Sequence, residues 1–188
     1  SNRTKIYING VDRYSDFTVT TAMSQNVEVG FQKGVVSNGF KIGSQETGST
    51  TFSGLMSHIN FVDGLQLDAS AFGQYDANGV WTIKTSPSVT YGTNGFFILK
   101  DGNSVTDQSG NSNNLSINAG ALTKTEDCPS NVFATLNTLD KGSSSLILKN
   151  GNTTVDTGGS DYGVRSALAV NSGKYYWETK CNTSGNTY

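Results

Sequence analysis

The chain has 188 residues, enough for one large domain or two small ones, with 35% apolar and only 15% charged residues. Its formal charge is -2, and its 13 basic residues are scattered without a Lys/Arg run, which argues against a phosphate-binding stripe and a nucleic-acid partner. Aromatics at 10% and 22 glycines indicate a folded, turn-rich protein rather than a disordered one.

The start, Ser1-Asn2-Arg3-Thr4, carries neither a signal peptide nor an initiator Met, so the chain is expected to be part of a longer polypeptide. No apolar run approaches the ~20 residues that span a bilayer, and no membrane insertion is expected. Residues 5–9 alternate as a strand and end at Asn9-Gly10, a strong hairpin signal. Residues 27–31 and 40–42 alternate again. Residues 52–62 read as one long strand with a bulge near Gly54. Residues 68–72 predict a single short helix, with Asp68 as N-cap and Gly73 closing it.

Asp76-Ala77-Asn78-Gly79 is a turn, residues 80–84 alternate, and 85–88 and 91–95 are turn clusters. This stretch is the expected domain junction. Phe96-Phe97-Ile98-Leu99 is a continuous apolar run, as for a strand buried on both faces. Residues 107–114 form a long polar turn, and further strands are expected at 115–118, 146–149, 164–170 and 175–180. Many short strands, Gly/Asn turns and no long helix predict an all-β fold of the sandwich type.

Three sets of residues carry a family resemblance. Lys5-Ile6-Tyr7-Ile8-Asn9-Gly10, the stretch from Phe52 through Gly64, and the segment from Leu67 to Phe72 resemble the closing elements of a laminin-G-like domain. Ser172-Gly173-Lys174-Tyr175-Tyr176-Trp177-Glu178 resembles a strand of SPRY domains. Asp107-Gln108-Ser109-Gly110-Asn111 resembles a turn of lectin-like sandwiches. In this order, joined through Pro87 to Phe97 and Pro129 to Asn137, they resemble bacteriophage tail-fibre and related virion proteins.

The resemblance implies tandem antiparallel β-sandwiches of the concanavalin-A-like jelly-roll type, the first and last modules incomplete. Residues 1–77 would be the C-terminal part of a laminin-G-like sandwich, 78–94 a linker, and 95–188 the N-terminal part of a SPRY- or lectin-like sandwich. It also implies an extracellular tail-fibre segment in the virion, contributing to host attachment. The partners would be other virion proteins, further copies of the chain in a trimer, and a host-surface glycan or protein. A capsid decoration or cement protein, and a cell-surface lectin, are the alternatives.

The residues give no catalytic set, and no enzymatic activity is expected. Glycoside hydrolysis needs two carboxyl groups flanking the bond, but Glu28, Glu46, Glu126 and Glu178 are isolated from one another, and adjacent Glu126-Asp127 would face opposite sides of a strand. His58, the only histidine, is expected as a packed strand residue rather than a triad member. No glycine-rich phosphate loop is present. Calcium, which many laminin-G-like domains bind through loop Asp and Asn oxygens, is the one cofactor the resemblance raises, with Asp63, Asp101 and Asp107 in turns. Without a clustered, EF-hand-like spacing their turn positions are better explained by side chains bonding the local backbone, so metal ligands stay unassigned.

Trp81, Tyr91 and Tyr188, in turn-rich segments, are candidates for stacking on a sugar, while Tyr176 and Trp177 are expected to alternate between core and surface. Ligand-binding residues likewise stay unassigned. Cys128 and Cys181, the only cysteines, are expected as two thiols, with a single bridge left open.

Overall fold

The computed structural model describes residues 4–18, 41–44, 50–101, 104–118, 120–125, 127–158 and 161–181. Among them the protein is all-β: ten short strands pair into five antiparallel two-stranded sheets, and helical backbone is limited to two 3-10 turns. No helix among the described residues is long and apolar enough to cross a membrane. The strand expected at 27–31 lies outside the described residues, as do Phe40 and Tyr188. The chain divides into two compact units, Ser1–Phe133 and Ala134–Tyr188.

In the first unit, β1 (Tyr7–Ile8) pairs with β2 (Val11–Asp12) around Asn9 and Gly10. Both turn residues have positive φ, 50° and 78°, the backbone that matches a tight turn to the twist of its strands. The long strand expected at 52–62 is reduced to β3 (Ile59–Phe61). His58, at φ 51°, leaves the extended region and so ends the ladder on its N-terminal side. β3 pairs with β6 (Phe96–Ile98), in the register Ile59↔Ile98, Asn60↔Phe97 and Phe61↔Phe96. All three β6 residues are buried, as their unbroken apolar run predicts, and with Tyr91 they form this unit's core. Each such side chain contributes about 1.5–3 kcal/mol by leaving water.

Between these partners lies a local hairpin, β4 (Gly73–Tyr75) with β5 (Trp81–Ile83). The Asp76 carboxylate closes its turn by accepting the Asn78 and Val80 amides, both at 2.8 Å. The helix expected at 68–72 is a 3-10 turn, Ala69–Ala71, and Asp68 does not cap it. The Asp68 carboxylate instead accepts the Tyr7 hydroxyl at 3.0 Å and faces Lys5 at 3.6 Å, tying the turn to β1. Trp81 completes that tie: its indole lies against the backbones of both Gly10 and Gly73, where any β-carbon would strike the ring. The segment 78–94, expected as a linker, thus carries β5 and the buried Tyr91 inside the first unit.

The second unit repeats the nested plan. The outer pair is β7 (Leu136–Lys141) with β10 (Val164–Ser166), whose register slips between Val164↔Lys141 and Ser166↔Leu136. Inside it, β8 (Ile147–Lys149) pairs with β9 (Thr154–Asp156). Leu146 is its one buried apolar side chain among the described residues, at 1% exposure. The strands expected at 115–118 and 175–180 do not form. Leu115 instead bonds the Val105 carbonyl through its amide at 3.0 Å, and residues 174–181 run as irregular chain.

Candidate functional site

The densest polar construction lies where the loop following β3 and the loop leading into β6 meet the turn at 107–114. Asp107 is its centre. Oδ1 accepts the Phe97 amide at 2.8 Å and the Ser109 amide at 2.9 Å, while Oδ2 accepts the Ser109 hydroxyl at 2.8 Å and the Asn113 amide at 2.9 Å. Asn111 Nδ2 reaches the carbonyls of Gly92 and Gly95, and Asn113 Nδ2 those of Thr93 and Gly95. From the other side, Asp63 Oδ2 accepts the Asn94 side-chain amide at 2.8 Å and the Asn94 backbone N–H at 3.2 Å. The Asp63 amide donates in turn to the Tyr91 carbonyl at 2.9 Å.

Burial alone would raise the Asp107 pKa, but hydrogen bonds from the Phe97, Ser109 and Asn113 amides and the Ser109 hydroxyl outweigh it and hold the carboxyl below its usual range. Tyr91 moves upward, first because it is buried and second because the Asp107 charge is near. Its hydroxyl donates to Asn60 Oδ1 at 2.6 Å, and its ring stacks on Phe97 with centroids 6.3 Å apart. A carboxylate offers about four lone-pair directions. In Asp107 all are taken by N–H and O–H donors, so a calcium ion would have to displace the loop's own bonds.

The three aspartates considered for calcium do not converge. Asp63 and Asp107 brace the same loop from opposite sides, whereas Asp101 bonds the Ser130 hydroxyl. Among the described residues no three His, Cys, Asp or Glu side chains lie close enough to share a metal. What this arrangement can do is hold a loop rigid; it presents no acid–base pair.

His58 does not complete a triad. Its Nδ1, the nitrogen that an orienting carboxylate would occupy, lies 2.7 Å from the Oγ of neighbouring Ser57, and its Nε2 has no partner. Burial is the chief cause that lowers its pKa, helped by Lys100 and opposed by Asp101 and the Thr85 backbone.

The aromatic candidates separate clearly. Tyr91 is a core residue at 8% exposure, and Trp81 is a half-buried packing residue with Tyr75 edge-on at 5.0 Å. Neither offers a free face like the run in the second unit. There, Tyr175, Tyr176 and Trp177 are 63, 83 and 80% exposed, so the alternation expected for Tyr176 and Trp177 is not found. The Tyr176 hydroxyl donates to Glu178, a bond that raises the tyrosine pKa. Neither Cys128 nor Cys181 is part of a disulfide.

The clamp on residues 92–95 is the part that sequence reasoning missed. The 107–111 turn was legible, but its grip on Phe97 and on three loop carbonyls was not. Asn111 and Asn113, spaced to send two amides to one side, were the available signal. Comparison with protein-family models, curated proteins and solved structures finds no match for this chain.

Proposed function

We propose that this chain is a non-catalytic structural part of a bacteriophage virion, a tail-fibre segment built from tandem β-sandwich modules that assembles as a trimer and contributes to host-surface attachment. The observation that supports it best is the meeting of motif pieces far apart in the chain. Tyr7, in the first laminin-G-like piece, bonds Asp68, in the last, and Trp81 packs against Gly10 and Gly73 together. The first and last of those pieces thus lie against one another, which supports reading them as parts of one domain. The resemblance then supplies the assembly and the location, by analogy of fold with function.

The test is to image the assembly containing this chain and trace its density. A trimeric fibre attached to a tail is the expected result. A chain coating a shell would replace attachment with particle stabilisation.

A carbohydrate-binding lectin module is the second reading, favoured by the exposed run Tyr175, Tyr176 and Trp177. Aromatic faces beside polar groups stack on sugar rings. Binding to a glycan panel that is lost in Trp177→Ala would support it, and a panel without any binding would remove it.

A further inference from the structure

His58 is the only histidine of the chain and the only buried polar side chain among the described residues, at 9% exposure. It stands at the mouth of the β3–β6 pair. Its amide donates to the Leu99 carbonyl at 3.1 Å, its carbonyl accepts Asn60 Nδ2 at 2.9 Å, and its ring lies 5.7 Å from that of Phe97. We propose that His58 is an acid-sensitive latch, holding the first unit closed while its imidazole is neutral and releasing it when the ring is protonated.

The ring makes one well-formed hydrogen bond, with Ser57. Ser57 Oγ lies 2.7 Å from Nδ1 and 3.3 Å from the Leu99 carbonyl. If the hydroxyl proton points to Leu99, Nδ1–H donates to Oγ and the Nε2 lone pair is left alone. If it points to Nδ1, Nε2–H is left alone. In both tautomers Nε2 is buried without a hydrogen bond of ordinary geometry, although the Thr85 backbone lies near enough to the ring to favour its charged form; the neutral ring can bear that cost. Protonation adds a full charge to that same nitrogen, for which the site provides no carboxylate hydrogen bond.

The charged groups facing the ring follow β6 and oppose each other: Asp101 favours the imidazolium and Lys100 disfavours it. The Thr85 backbone on the third side favours it. Lys100 is held in place by Ser86 Oγ at 3.0 Å and by the Phe97 ring at 5.9 Å. Burial outweighs the favourable contributions, so the folded-state pKa lies below 6.5. The sign follows: from pH 6.5 downward the unfolded chain takes up a proton that the folded chain refuses. The unfolding equilibrium then shifts toward the open state by up to about tenfold per pH unit until the folded-state value is passed.

One experiment reads both halves. In the full chain carrying Trp177→Phe, Trp81 is the sole indole and reports on the first unit, while the single histidine gives one imidazole signal by NMR. The expected results are a His58 titration midpoint below 6.5, a first-unit denaturation midpoint that falls between pH 7 and pH 5, and a fall that disappears in His58→Gln. Lys100→Gln keeps the test independent of whether His58→Gln folds. It should move the imidazole midpoint upward, and Asp101→Asn should move it downward. A wild-type midpoint at or above 6.5, or a first unit whose denaturation ignores pH across this window, overturns the proposal.

Discussion

Asp107 holds the backbone of Phe97, ten residues earlier, through an N–H···O bond of 2.8 Å, so a surface turn grips the central residue of the most deeply buried strand. Three further donors share the same carboxylate. Asp107→Asn keeps the shape but turns an NH2 toward one pair of those donors. Hydrogen bonds to a charged group contribute about 1.5–3 kcal/mol each, non-additively. The first unit should lose about 2–4 kcal/mol of stability, measured by chemical denaturation, while the second unit is unaffected.

The same group sets an acid limit. Its folded-state pKa is depressed below the ordinary 3.8, so its stabilisation is complete above that value and is lost as pH falls through the folded-state pKa. Denaturation midpoints of the first unit measured from pH 5 to pH 2 should fall at the acid end. Asp107→Asn should flatten that fall.

Gly95→Ala should be among the most damaging single changes. A β-carbon there would collide with the Tyr91 carbonyl and stand 2.8 Å from that of Phe61, both backbone groups that cannot swing aside. We expect about 3 kcal/mol or more of destabilisation, in the class of buried overpacking. Gly163→Ala is the contrast: nothing lies within 4 Å of its added carbon and its φ is ordinary, so it should be neutral or stabilise by about 0.4–1 kcal/mol. Thermal melts of the two variants check the pair.

Tyr91→Phe removes one hydroxyl and leaves Asn60 Oδ1 without its 2.6 Å donor, while the ring can stay stacked on Phe97. The cost should be about 1–2 kcal/mol. Arg165→Ala, by contrast, breaks a contact in which the one nitrogen Nη1 donates to both Asp140 carboxylate oxygens, at 2.9 and 3.0 Å, from an arginine that is 81% exposed. Solvent screening should leave the equilibrium denaturation midpoint of the second unit essentially unchanged.

The hairpin at Asn9-Gly10 and the burial of residues 96–98 were legible because each rests on a local signal, a turn dipeptide in one case and an unbroken apolar run in the other. β7 was not legible. Its sequence, Leu136–Lys141, includes a leucine at 95% exposure, so no two-residue alternation marks it, and only pairing with β10 makes it a strand. The shortening of the 52–62 strand hid for a different reason. A left-handed backbone at a histidine has no signature in composition and is decided by the contacts around Leu99 and Ser57. At the site, Asp63 and Asp107 read as turn formers, which they are, but their shared loop is a long-range relationship that spacing does not encode.

Both units enclose a short hairpin within a wider strand pair, β4–β5 inside β3–β6 and β8–β9 inside β7–β10. That nesting bears on the order in which the chain acquires its shape. A hairpin closed by a few residues forms in about 1–10 μs, whereas joining distant segments first costs the entropy of the whole intervening loop. Once the inner hairpin has condensed, the outer strands have less free chain to bring together. Each unit is therefore expected to zip outward from its own centre, and a defect in the Asp76 turn would slow the meeting of Phe61 and Phe96, neither of which it touches.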